Sequence, residues 1–255
     1  MRVLALHGIG SCSTILKEQL TPLLKQLGQE YQVTYMDGAI HTVKGPGVPE
    51  GWSGPAMTYA ADYTPAAINI TMHHLHSFIQ ENGPFDGVFG FSLGASMVAS
   101  SILSRQHQRN GDSEPFRFAV FFSSIAAFSG GPTCCEQVVE RLVHESADEF
   151  RLAFSGASTA SISSDGKIFT QYLVTCCKTA LSFKAKLDMN TSFFESKHLD
   201  QVRRPIHPQL IADRIRIQTI HVMGSRDFPL IAEQSRALVG LCNDGSIKLH
   251  TRRGA

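Results

Sequence analysis

The sequence is short of several things, and each shortage removes a class of function. No stretch approaches the ~20 consecutive apolar residues that a membrane-spanning helix needs. The apolar run Val3 to Leu6 meets His7-Gly8 too soon to be a secretory h-region. The expectation is a cytoplasmic protein with no membrane partner. Excess charge of one sign is lacking too: 23 Lys and Arg stand against 22 Asp and Glu. A nucleic-acid binder needs a basic stripe to release phosphate counterions, so no nucleic-acid partner is expected. Six cysteines are too few for a disulfide scaffold in 255 residues. Cys134-Cys135, Cys176-Cys177, Cys12 and Cys242 also match no zinc spacing, and they read as buried or partly buried free thiols. His73, His74 and His76 have no carboxylate or cysteine at a ligand spacing and read as the polar side of a helix. No metal is expected.

What is present is a globular pattern. Hydrophobic residues make up 43% and charged residues 18%, enough apolar material for one domain over residues 1–255. Short apolar runs at Val3–Leu6, Gln32–Met36, Phe85–Phe89, Phe118–Phe122, Ile215–Val222 and Ile247–His250 read as strands. Helical spacing recurs at Ser13–Leu27, Thr64–Glu81, Leu93–Ser104 and Leu230–Leu241, and less regularly near 135–152 and 168–187. Gly, Pro and Trp52 in 41–55 mark a long loop; Ser155–Ser164 reads as a flexible one. Strands alternating with helices imply parallel βαβ units and a mostly parallel, doubly wound sheet. The irregular stretch of about 125–205 sits where such a sheet commonly carries a helical or loop cap.

Three segments carry chemistry. Gly90-Phe91-Ser92-Leu93-Gly94 fits the G-x-S-x-G nucleophile elbow, with a strand before it and a helix after it. That context points to the α/β-hydrolase fold with Ser92 as nucleophile. An acyl-transfer intermediate carries an oxyanion that needs two backbone N–H donors already in place. Leu93, just after the nucleophile, supplies one. The glycine turn His7-Gly8-Ile9-Gly10 after the first strand supplies the other, from Ile9 or alternatively Gly10. Asp227 follows a late strand through Gly224-Ser225-Arg226 and is the candidate acid that would orient a histidine. Chain order in this fold puts the base after the acid, and His250 alone follows Asp227. His221 lies within a strand before the acid and reads as structural.

Val3–Gly10, Gly83–Ala95 and His221–Asp227 together resemble the FSH-type serine hydrolases, small fungal esterases related to the human ovarian-cancer-gene-2 hydrolase. Gly83-Pro84-Phe85-Asp86-Gly87 ahead of the elbow is more specific than the pentapeptide. The resemblance spans the chain and is thin across 40–65 and 125–205. It implies a cofactor-free esterase or thioesterase. Its substrate would be a small acyl ester or thioester, carrier-protein-bound in some members, released or edited in polyketide or other secondary metabolism. Two departures stand out. The family often has Gln or Glu where this chain has Leu93. Members also usually end in a His-x-x-Gly-His-x-x-Pro motif whose second histidine is the base, whereas this sequence reads His250-Thr251-Arg252-Arg253-Gly254-Ala255. A shortened C-terminal end, without the closing helix, is therefore expected. The second reading is a non-catalytic or truncated hydrolase-fold protein; a peptidase on the same fold is a third. The 41–63 loop (Trp52, Met57, Tyr59) and residues 125–205 are the expected pocket walls.

Overall fold

The computed structural model describes residues 1–108, 115–131, 133–157, 162–182, 198–243 and 247–252. Among these, six strands form one sheet in the order β2-β1-β5-β6-β7-β8, and every neighbouring pair is parallel. They are β1 (Arg2–Leu6), β2 (Gln32–Met36), β5 (Gly87–Phe91), β6 (Phe118–Phe122), β7 (Gln218–Gly224) and β8 (Ile247–Arg252). A separate antiparallel ribbon joins β3 (Ile40–His41) to β4 (Met57–Thr58) at the two ends of the segment 41–55 expected to be loop. Helices α1 (Ser13–Leu27), α2 (Pro65–Asn82), α3 (Leu93–Gln108) and α7 (Pro229–Gly240) connect the strands. Between β6 and β7 stand α4 (Glu136–Glu140), a π-helical turn (Arg141–Glu145), α5 (Ala147–Phe154) and α6 (Ser164–Ser182).

Strand side chains alternate between two cores, as burial of both sheet faces requires. Val3, Ala5, Phe89 and Val120 pack with Leu16 and Leu20 of α1. Leu4, Leu6, Val88, Ala119 and Phe121 join the larger core with α2, α3, α6 and α7. A one-residue slip of any central strand would exchange these two sets. The larger core also takes in Val139, Leu142, Phe150 and Phe169, so the helices between β6 and β7 pack continuously with the sheet.

Several boundaries differ from the pattern reading. β5 begins at Gly87 rather than Phe85, because Asp86 is engaged in tying strand starts together. Its carboxylate accepts the Arg2 N–H at 2.8 Å, its N–H donates to the Arg2 carbonyl, and its carbonyl accepts the Arg117 N–H. The Gly83–Gly87 lead-in is thus a clamp on β1, β5 and β6. β7 begins at Gln218 rather than Ile215, since Ile215 bridges Cys242 instead and exchanges backbone bonds with Leu241 and Asn243. The helix expected over 135–152 is interrupted by the π turn. The expected loop at 155–164 gives way to α6 at Ser164, and its centre, 158–161, lies outside the described residues.

His221 is 1% exposed, packs against Phe121, and has Nε2 3.6 Å from Cys242 Sγ. Its Nδ1 has no hydrogen-bond partner among the described residues, so a second proton there would be a buried charge with nothing among them to pair it. Burial pushes its pKa down to about 4. The unfolded chain takes up this proton near pH 6.5 and the folded chain does not. The stability that comes from neutral His221 is therefore complete above pH 6.5 and is lost as pH falls toward about 4. The loss expected is about 3 kcal/mol across that window. Urea midpoints measured from pH 7 to pH 4 should fall less steeply for His221→Phe than for the parent; parallel slopes would contradict this assignment.

Candidate active site

Ser92 sits where β5 turns into α3, with φ of 51°. A serine at positive φ is strained, and its N–H is held by the Phe122 carbonyl at 2.8 Å. The glycines of the pentapeptide have separate jobs. A Cβ on Gly90 would lie 2.5 Å from Ala95 Cα, so Gly90 lets α3 fold back against β5. A Cβ on Gly94 would lie 2.3 Å from the Leu6 carbonyl oxygen, so Gly94 lets α3 lie against β1. The N-terminus of α3 therefore points at Ser92, where its dipole favours negative charge.

The glycine turn after β1 closes on the same point. A Cβ on Gly8 would meet the Ser92 Cβ at 3.4 Å, which places the Gly8–Ile9 peptide beside the nucleophile. Neither the Ile9 nor the Leu93 N–H donates to any acceptor among the described residues. Two amides beside the serine hydroxyl are thus available to an oxyanion. Gly10, the alternative donor, gives its N–H to the Met57 carbonyl at 2.9 Å. Gly10 also has φ of +66°, and a Cβ there would strike the Gly45 backbone at 2.2 Å, so the 41–55 loop braces this turn from outside.

His7 holds the turn from inside. Its ring is wholly buried and stacks on Tyr59. The Gly38 N–H is a donor 3.0 Å from Nε2, so Nε2 accepts and the ring proton sits on Nδ1. Nδ1–H then donates to the Gly8 carbonyl at 2.7 Å. That carbonyl belongs to the same planar trans peptide as the Ile9 N–H. Fixing the oxygen on the His7 side aims the N–H the opposite way. Burial holds the His7 pKa below its ordinary value, against a smaller upward pull from its bond to Gly8 and from Asp37.

Asp227 ends the turn after β7. Its Oδ2 accepts the Gly224 N–H at 2.9 Å, and its own N–H donates to the Gly224 carbonyl at 3.2 Å. The carboxylate is thereby folded back over the end of β7 and faces a groove that Ser92 also lines. His250 lies within β8 in register with Val222, two residues before Arg252, which pairs with Gly224. Only its backbone is described.

Ser92 is shared by two spaces. One is the groove of about 250 Å³, bounded by Gly8, Ile9, Pro46, Ser123, Asp227 and Phe228. The other is a slot of about 20 Å³ between Ile9, Tyr63, Ile125, Phe128 and Leu173, with Cys176 and Cys177 of α6 in its wall. Burial raises both thiols, Cys177 to about 11, so they remain protonated at neutral pH and are not competing nucleophiles. A larger cavity of about 630 Å³ opens beyond Phe128 and contains none of the candidate groups.

Of the residues singled out in the sequence, Ser92, Ile9 and Asp227 border one groove, and Leu93 follows Ser92 at the start of α3. The expected pocket walls are corrected. Trp52 bonds to the Pro55 carbonyl, Met57 pairs with β3 and Tyr59 supports His7, and none of them lines the slot or the groove. From the 41–63 loop it is Pro46 and Gly47 that border the groove and Tyr63 the slot, while 125–205 contributes Ile125, Phe128 and Leu173 to the slot. Pattern reading also missed Ser123, which lines the groove at φ of 42° after β6; a serine at a strand end is too common a signal to have found it. His76, from the histidine cluster, contacts Ser101 Oγ at 3.2 Å on α3.

An elbow serine, two unpaired amides and an acid across one groove, on a parallel sheet in this order, define an α/β-hydrolase fold. Comparison with known proteins agrees. The family profile described as "Serine hydrolase (FSH1)" matches residues 1–254. The chain belongs to this family of serine hydrolases. Esterase alnB of Emericella nidulans is 33% identical over 257 residues, covering 99% of this chain and 88% of that protein. Esterase FPY3 of Fusarium mangiferae is 39% identical over 126 residues, covering 48% of this chain and 56% of its own length. Among solved structures, the monoacylglycerol lipase of Paleococcus ferrophilus superposes with a TM-score of 0.50 at 18% identity, covering 99% of this chain and 84% of that one. At that identity the likeness speaks to the fold alone. Among the described residues, no helix is long and apolar enough to cross a membrane.

Proposed function

We propose that this protein hydrolyses a carboxylic ester of a secondary metabolite through an acyl-enzyme on Ser92. The observation that carries the reading is Ser92 itself: strained into the elbow, beside Gly8, and facing a groove shared with Asp227. Ser92 Oγ adds to the carbonyl carbon as a histidine takes its proton. The Leu93 and Ile9 amides hold the oxyanion. The histidine then returns the proton to the departing alcohol, and water repeats the sequence to free the acid. Asp227 fixes the histidine's tautomer. A thioester, including one on a carrier protein, would react by the same steps. The six free thiols fit a cytoplasmic setting.

His250 is the proposed base. If it acts so, His250→Ala should lower kcat by on the order of 10⁴ or more. Unchanged turnover would remove it from the site. The reading as a whole is tested with p-nitrophenyl acetate: saturable release of nitrophenol by the wild-type protein is expected. No release above the buffer rate would favour the non-catalytic reading.

A further inference from the structure

The two spaces at Ser92 are unequal, and the inequality has a direction. We infer that the enzyme is selective for short acyl groups, of acetyl size, esterified to a bulky alcohol or phenol. This rests on the proposed esterase reading and specifies its substrate class.

The direction comes from where the proton must go. The departing oxygen has to lie within hydrogen-bond reach of the base, and the base is oriented by the acid. Asp227 borders the groove and is absent from the slot. With the carbonyl oxygen held between Ile9 and Leu93, the leaving group therefore occupies the groove. The acyl substituent points the other way, into the slot.

The slot measures about 20 Å³ to the centre of a water-sized sphere, against about 250 Å³ for the groove on the same scale. The smaller figure is room for about one water molecule, hence for a methyl and little more. Its walls belong to the core. Ile125 is 8% exposed, Phe128 3%, Leu173 2% and Cys177 0%, and all four are part of the main hydrophobic cluster. Widening the slot would displace close-packed side chains. The groove is bounded instead by Pro46, Gly47 and the turn carrying Phe228, which is 59% exposed. An exposed ring at the edge of a wide groove suits a large, flat alcohol component.

The experiment holds the leaving group fixed and varies the acyl chain: p-nitrophenyl acetate, butyrate, octanoate and 2-naphthoate. A pocket contact discriminates by roughly tenfold or more per misfitted group. The expected result is kcat/KM at least about 100-fold higher for acetate than for octanoate or naphthoate. Leu173→Ala should raise octanoate turnover and the octanoate-to-acetate ratio of kcat/KM at least about tenfold; Ile125→Ala is the second variant, and Tm shows whether either folds. Octanoate or naphthoate turned over as fast as acetate by the wild-type protein would overturn the inference and leave the esterase reading standing. Octanoate turnover unmoved in both folded variants would also overturn it, because the slot would then not be the acyl site. No turnover of any ester would overturn the esterase reading and this inference together.

Discussion

Ser92→Ala is expected to lower kcat by on the order of 10⁶, with KM changed little. The alanine removes the atom that bonds to the acyl carbon and leaves the amides of Leu93 and Ile9 untouched. Residual turnover of about 10³–10⁴ over water should remain, supplied by the oxyanion site and binding alone. The fold should survive, because Ser92 contributes its backbone N–H to the Phe122 carbonyl and alanine keeps that bond. The φ of 51° strains alanine as it strains serine, so the change in Tm should be small. Initial rates over a range of ester concentrations, with thermal melts of both proteins, decide it. A Ser92→Ala protein retaining a tenth of wild-type kcat would mean that the chemistry runs elsewhere.

The second large effect is expected from a residue that never touches substrate. His7 positions one oxyanion donor by gripping the carbonyl on the other end of its peptide. His7→Leu removes that grip and the bond to the Gly38 N–H together. Losing a preorganised oxyanion donor costs about 10²–10³ in kcat. KM should move much less, because the donor matters most once charge has developed. His7→Asn can still donate from its amide to the Gly8 carbonyl and should recover part of the loss. The pH profile separates this role from a merely structural one. The ring must be neutral, since a proton on Nε2 would face the Gly38 N–H. Burial depresses the His7 pKa, so the neutral ring persists below pH 6.5 and is lost only as pH falls through its lowered value. A further acid limb of kcat at low pH, below the one set by the catalytic base, present in the wild-type enzyme and absent in His7→Asn is the expected signature. Equal kcat in His7→Leu and wild type would remove His7 from the mechanism.

Local features of the site were legible in the sequence because each is written in adjacent residues. Glycine at 90 and 94 marks positions where a side chain would strike Ala95 or the Leu6 carbonyl, and the apolar runs of β1 and β6 mark strands buried on both faces. What the sequence did not reveal comes from contacts between distant segments. The slot walls draw on Tyr63, Ile125, Phe128 and Leu173, which share no motif and read simply as core. Tyr59 and Trp52 were placed at the pocket because aromatic residues in a long loop invite that reading, yet the β3–β4 ribbon turns Tyr59 inward onto His7. The role of His7 depends on Gly38, thirty-one residues away, which fixes the tautomer. The lead-in at Asp86 was recognised as distinctive, but its function as a clamp on three strand starts is visible only in three dimensions. The turns were readable wherever they imposed glycine; the slot was not, because packing between distant segments forms it.

The central claim is that Ser92 is an activated nucleophile. Its most direct measurement is the intact mass of the purified protein after exposure to a fluorophosphonate, followed by peptide mapping. Fluorophosphonates react with a serine only when a base removes its proton and an oxyanion site accepts the developing charge. One adduct per chain, mapped to the peptide containing Ser92 and absent from Ser92→Ala, is the predicted result. A wild-type chain that stays unmodified while a labelled serine esterase in the same tube reacts to completion would contradict the account.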